Sequence, residues 1–386
     1  MEKQPNRWLI LAAAIFINIS LGAGYMWSLF QGPLQQAHGW TDNISWAYSI
    51  SFAMVPISMI IFGPKVDQIG GKKIVFLSGV LFGIGMIATG FITQQSLLYL
   101  TYGIITGLGI GTGYGTATST SVKWFPDKKG LAGGLTAAGF GSGSLILTPI
   151  VQPMIESLGI QTTFKLMGSV LLLIIIICSF FMEKAPEQSS TTIISSSTDQ
   201  TPKVMLKTQK FWLLWLIYTL ATTGGMMLIG HAAGIVTEYS LGNAAVIIML
   251  CAAFNTGGRV IWGIVSDKIG RYLTVIAMFI TNAFGLILLT FNVQLGAVLG
   301  VVGMLAIYFS FGGFLGAFPG ITAGNWGTKN SGANYGWMFT AYGISAILGP
   351  QIATITGYGA AFIISALMCA IGIGLMALFI KQQPKS

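Results

Sequence analysis

Apolar residues fall in long blocks along this chain, and the blocks share a common length. They recur near residues 8–30, 44–63, 74–92, 97–122, 131–155 and 166–182, then near 211–236, 244–265, 273–293, 295–324, 332–355 and 360–380. A hydrocarbon core takes about 20 apolar residues of helix, so the pattern predicts twelve transmembrane helices. The run 332–380 carries no charge and is too long for one crossing, which places a turn near Gly357 and Gly359. The first block exceeds a signal-peptide core and the chain keeps returning to the membrane, so it reads as a retained helix. Residues 183–210 are polar, and 189–197 are nearly all Ser and Thr, as in a solvated linker. The expected organisation is a six-helix bundle over 1–182, a cytoplasmic linker over 183–210 and a second six-helix bundle over 211–386.

Composition supports the membrane reading. Of the 386 residues, 54% are hydrophobic and 8% charged, against about 25% charged in a soluble domain. The net charge of +9 therefore points to topology and not to nucleic acid. With the N-terminus in the cytoplasm, every Lys and Arg except Lys165 and Arg259 falls on the cytoplasmic side, so the positive-inside rule places both termini in the cytoplasm of a cell membrane. Cys178, Cys251 and Cys369 lie in apolar runs and offer neither a disulfide framework nor a metal cluster. No cofactor or metal is expected.

The chain also repeats itself. After the second block it reads Gly63, three residues, Asp67, two residues, Gly70, with Lys72 and Lys73 following. After the eighth it reads Gly263, three residues, Asp267, two residues, Gly270 and Arg271, at an offset of 200 residues. A second echo pairs Thr136, Ala137, Ala138 and Gly139 with Thr340, Ala341, Tyr342 and Gly343. The expected fold is an all-α membrane protein of two pseudo-symmetric six-helix bundles that arose by duplication.

This Gly-x3-Asp-x2-Gly loop with trailing basic residues, set between helices two and three, resembles the signature loop of the major facilitator superfamily. The resemblance narrows at Lys123, Trp124, Phe125, Pro126, Asp127, Lys128, Lys129 and Gly130, which precede a Gly-rich helix. That loop, the glycines Gly103, Gly107, Gly111 and Gly115 in the fourth helix, and an arginine in helix eight resemble the oxalate/formate antiporter family, bacterial relatives of monocarboxylate transporters. The resemblance implies halves related by an axis along the membrane normal, with substrate bound between them near the midplane. Asp67, Gly70, Lys72, Lys73, Asp267, Gly270 and Arg271 become candidates for a conformational switch, the alternative being a pair of solvated turns. The four-residue glycine spacing reads as close helix packing.

The candidate chemistry centres on Arg259. A guanidinium at mid-span costs several kcal/mol and needs a partner, while all ten acidic residues fall in loops or at helix ends. The expected partner is a small organic anion, since a carboxylate fits the planar fork. Asn255, one turn earlier, is placed to orient the guanidinium or to bind a second substrate oxygen. Tyr25, Tyr114, His231, Tyr308 and Tyr342 are further substrate-site candidates, with Phe140 and Trp262 as neighbours, because the resemblance implies aromatics around the arginine. It also implies that oxalate exchangers carry a Lys where this chain has Tyr342. His231 and Glu238 form a candidate proton path. The expectation is a monomeric secondary transporter of monocarboxylates of the lactate, pyruvate or formate class, working by alternating access, with oxalate/formate exchange as the alternative. A channel needs a continuous polar pore and an enzyme needs paired acid and base groups or metal ligands; the spans supply neither.

Overall fold

The computed structural model describes residues 6–40, 43–125, 127–184, 199–327 and 330–383. Residues 185–198 of the polar linker, Pro126, Lys3, Lys329, Lys385 and the side chains of Asp67 and Lys129 lie outside the described residues. The chain forms helices α1 (Arg7–His38), α2 (Ser45–Ile69), α3 (Gly71–Thr89), α4 (95–124), α5 (Lys129–Leu158) and α6 (Ile160–Ser179). The second half forms α7 (Gln209–Glu238), α8 (Ala244–Ile269), α9 (Arg271–Thr290), α10 (Ala297–Trp326), α11 (Gly332–Thr356) and α12 (Tyr358–Lys381). Among the described residues there is no strand. Eleven of these helices are apolar and long enough to cross a bilayer; α4 is the other, its sequence diluted by glycine and threonine. Helices α3, α6 and α9 start two to six residues earlier than the hydrophobic blocks predict, because the helix takes in charged residues that hydropathy leaves out, and they end three residues earlier. Lys165 therefore lies inside α6 and sits 4.0 Å over the Phe91 ring, an arrangement open to a long side chain that keeps its ammonium near water.

Duplication is visible in the backbone. Single glycines join α2 to α3 and α8 to α9: Gly70 at φ 85°, ψ 154° and Gly270 at φ 86°, ψ 152°. Gly159 and Gly357 join α5 to α6 and α11 to α12, both at φ 78°, ψ 162°. That region is closed to residues with a Cβ, which is why the repeated loop keeps its second glycine. Helix pairing follows the same symmetry. α1 packs on α5 as α7 packs on α11; α2 on α4 as α8 on α10; and α3 on α6 as α9 on α12.

Close approach explains the glycine row of α4. A Cβ on Gly103 would lie 3.0 Å from the Ile50 side chain, one on Gly115 would lie 3.2 Å from Met59, and Cβ atoms on Gly107 and Gly111 would overlap the carbonyls of Ser51 and Val55. All four glycines face α2. In the second half Gly258 and Gly312 do the same work between α8 and α10. The outer surface is apolar, with Leu367 and Ile371 of α12 60% and 55% exposed, so lipid is the solvent for this face. The protein is integral to a membrane.

The halves meet along α5 with α8 and α2 with α11. On the face opposite the termini the contact is an uncharged polar latch. Asn43 Nδ2 donates to Gln351 Oε1 at 2.8 Å, Ser45 Oγ lies 3.4 Å from Thr354 Oγ1, and Gln351 Nε2 reaches Ser49 Oγ at 3.4 Å. On the terminal face Arg7 of α1 pairs with Asp127 at 2.8 Å, which ties α1 to the α4–α5 loop. Desolvation works against the Asp127 carboxylate, yet hydrogen bonds from its own backbone and from Arg7 outweigh it and hold the carboxyl below its usual range.

Candidate substrate site

Where the halves meet at mid-depth, Arg259 of α8 points into a cavity of about 10 Å³, room for roughly one water. The cavity is aromatic on most sides. Tyr25 of α1, Phe52 of α2, Tyr114 of α4 and Phe140 of α5 supply the first-half wall; Phe339 and Tyr342 of α11 face them, with Val55 and Leu315 as aliphatic patches. Arg259 is the one charged side chain in this lining and is 6% exposed.

Each nitrogen of the guanidinium has a different situation. Nε lies 3.4 Å from Asn255 Oδ1, one helical turn earlier. Nη1 crosses between halves and donates to the Ala137 carbonyl of α5 at 2.6 Å. Gly141 makes this possible, since a Cβ there would stand 3.3 Å from Nε. Nη2 has no hydrogen-bond partner among the described residues. A buried, charged donor without a partner is costly, and a carboxylate beside it would remove that cost.

A second bond joins the halves at this depth: the hydroxyls of Tyr25 and Tyr342 are 3.2 Å apart. Tyr25 lies in the tightened segment Gly22–Met26 of α1 and stacks on Phe52 at 5.3 Å. Tyr342 stacks on Phe339 at 4.5 Å. The cavity is too small for a carboxylic acid as it stands, so a bound anion must part these tyrosines or the helices that carry them.

The structure thus brings Arg259, Asn255, Tyr25, Tyr114 and Tyr342 together. Tyr308 of α10 is buried but does not line the cavity. Trp262 packs on Phe309 at 5.4 Å, outside the cavity lining, while Phe140 does line it. His231 lies in a different place. Its Nε2 is 3.1 Å from the Pro350 carbonyl and its Nδ1 is 3.4 Å from the Tyr358 hydroxyl. A carbonyl only accepts, so Nε2 carries a proton. His231 and Glu238 line a wider vestibule of about 350 Å³ toward the face opposite the termini. Of the switch candidates, Arg271 Nη1 donates to the Gly320 carbonyl of α10 at 2.7 Å, Lys72 sits 4.8 Å over the Phe180 ring, and Lys73 is exposed. Asp267 is exposed, with no ion pair among the described residues.

Phe52, Val55, Leu315 and Phe339 are lining residues that pattern reading does not single out. Tyr335, Phe339 and Tyr342 stand at i, i+4 and i+7 on α11, an aromatic stripe on one face that could have flagged Phe339.

Two six-helix bundles closed over one buried cation are the anatomy of a membrane carrier, and the chain belongs to the Major Facilitator Superfamily, whose model matches residues 9–350. Within it the chain falls in the oxalate/formate antiporter family. It is 32% identical over 389 positions to the oxalate:formate antiporter of Oxalobacter formigenes, an alignment covering 98% of this chain and 92% of that protein. It is also 30% identical over 173 positions to human monocarboxylate transporter 2, covering 42% of this chain and 35% of that one. The xylose transporter XylE from E. coli, solved in a partially occluded inward open conformation, shares the fold with a TM-score of 0.77 at 13% identity, covering 98% of this chain and 99% of XylE.

Proposed function

We propose that the protein carries small monocarboxylates of the lactate, pyruvate or formate class across the cell membrane by alternating access. Bundles 1–182 and 211–386 would rock about the central cavity as a monomer, joined by the linker 183–210, with both termini in the cytoplasm. The observation that carries this reading is Arg259: a buried guanidinium in the cavity between the halves, with Nη2 unpartnered. A carboxylate arriving there takes Nη2 and draws Nη1 from Ala137, so binding loosens one of the bonds that tie α5 to α8. Binding energy is thereby coupled to the movement of the halves.

A second reading, exchange of oxalate for formate, is supported by the activity in the name of the Oxalobacter relative. The cavity's charge favours the first. A monoanion is neutralised by Arg259, whereas oxalate leaves one negative charge facing tyrosines and phenylalanines. An uncompensated carboxylate costs several kcal/mol in such a setting. Asp67, Gly70, Lys72, Lys73, Asp267, Gly270 and Arg271 are proposed as the terminal-face switch, with the paired glycines as its hinges. Coupling to protons is assigned to the vestibule pair His231 and Glu238. The chemistry is transport and not catalysis. Purified protein in liposomes, given labelled lactate, pyruvate, formate and oxalate with and without a pH gradient, tests substrate and coupling together. Saturable, gradient-sensitive uptake of a monocarboxylate is expected, and uptake of oxalate alone would reverse the choice.

A further inference from the structure

The vestibule on the face opposite the termini is unlike the transport cavity in every respect that governs binding. At about 350 Å³ it falls in the range of small-molecule sites, and it is far too wide to close a ligand shell round a bare metal ion. Its walls come from both halves: Gln31 and Gln35 of α1 and Asn43 before α2 on one side, His231 and Glu238 of α7 with Tyr358 of α12 on the other. Thr354, which with Asn43 forms part of the latch, also lines it. Glu238 is the one acidic side chain in this lining, and both nitrogens of His231 are engaged by Pro350 and Tyr358. The side chains of Gln31, Gln35 and Glu238 face the space and show no hydrogen bond to any described residue. Gln31 and Gln35, four apart, share one face of α1.

We infer that this vestibule binds a small organic ammonium ion and that the bound cation holds the two halves together on this face, inhibiting the carrier. The carboxylate of Glu238 supplies the charge, the ring of Tyr358 a surface for the ammonium, and the amide oxygens of Gln31 and Gln35 the remaining hydrogen bonds. The ligand touches both halves only while the Asn43–Gln351 latch is closed, so it selects that state. Its occupancy must lower the population opening to this side by the factor 1 + [L]/Kd. A carboxylate is repelled by Glu238, so the site and the transport cavity take ligands of opposite charge. The inference is independent of which acid is carried.

The test uses ethanolammonium chloride and the full-length protein in nanodiscs of phosphatidylglycerol, which has no ammonium headgroup. Calorimetric titration should show saturable binding that Glu238→Gln weakens at least tenfold and that persists in saturating sodium propionate. In a Cys178→Ser background, the Gln35→Cys variant should be protected from a thiol reagent by ethanolammonium. In liposomes, ethanolammonium should lower the maximal uptake rate. Repeating the titration in phosphatidylethanolamine nanodiscs separates the sources: an unchanged affinity means a soluble ligand, and a fall means that the headgroup occupies the same site. No binding to the wild type, or binding that Glu238→Gln leaves intact, overturns the site; loss of binding in saturating sodium propionate overturns its separation from the transport cavity, and uptake that ethanolammonium leaves unchanged overturns the inhibition.

Discussion

Replacing Arg259 by lysine keeps a positive charge in the cavity and removes the fork. In the wild type Nη1 is held at 2.6 Å by the Ala137 carbonyl, Nε is steadied at 3.4 Å from Asn255, and Nη2 is unpartnered. A carboxylate can engage both terminal nitrogens, whereas a lysine ammonium presents one nitrogen at a less defined position. One charge-assisted hydrogen bond is lost, which costs about 1.5–3 kcal/mol, or roughly 10- to 100-fold in affinity. Arg259→Ala removes the charge too and should cost on the order of 100- to several-thousand-fold, in line with about 3–5 kcal/mol for breaking a buried pair. Neither change should impair insertion, because an arginine at mid-span itself opposes insertion by about 2.5–3.5 kcal/mol. Loss of transport with normal membrane yield is therefore the expected pattern. Initial uptake rates over a range of acid concentrations, with the membrane-inserted protein quantified, provide the assay. Near-normal uptake by Arg259→Ala would refute the anion-site argument.

Three further outcomes follow from the geometry. Tyr342→Lys places an ammonium opposite Arg259 and breaks the Tyr25 bond, so the ratio of oxalate to lactate uptake should rise by an order of magnitude or more; an unchanged ratio would mean that the new charge does not reach the cavity. Gly258→Val drives a side chain into the Phe309 carbonyl and should destabilise the α8–α10 contact by about 1–3 kcal/mol or more, read as a lower melting temperature in detergent; a melting temperature equal to wild type would contradict the packing. His231→Gln keeps a hydrogen-bonding side chain and removes the titratable ring. If the vestibule couples transport to protons, uptake loses its dependence on the pH gradient, and an unaltered pH profile would assign the histidine to packing alone.

Much of this architecture is legible in the sequence because membrane physics is severe. Hydrocarbon fixes the length of a crossing, positive charge marks a side, and a lone arginine at mid-span stands out from apolar neighbours. The Gly70 and Gly270 match was readable as a repeat, and its physical cause, a conformation closed to other residues, needed the backbone angles. Asn255 was readable from its i, i+4 spacing. Ala137 was not, because its contribution is a carbonyl that every residue possesses, exposed to Arg259 only by the missing side chain at Gly141 four residues on. Phe52 and Phe339 were hidden for the opposite reason: aromatic residues are so common in these helices that only packing selects those on the cavity. The separation of His231 from Arg259 follows from their depths, His231 standing near the end of α7 that faces away from the termini and Arg259 near the middle of α8.

The central claim is that one buried guanidinium selects a monocarboxylate between two moving halves. Counterflow tests it most directly: liposomes preloaded with unlabelled lactate, pyruvate or formate, or with oxalate, are diluted into trace amounts of the same labelled acid. The account predicts transient accumulation of label with at least one monocarboxylate and little or none with oxalate, and loss of that accumulation in Arg259→Ala. Strong counterflow with oxalate and none with any monocarboxylate would contradict it.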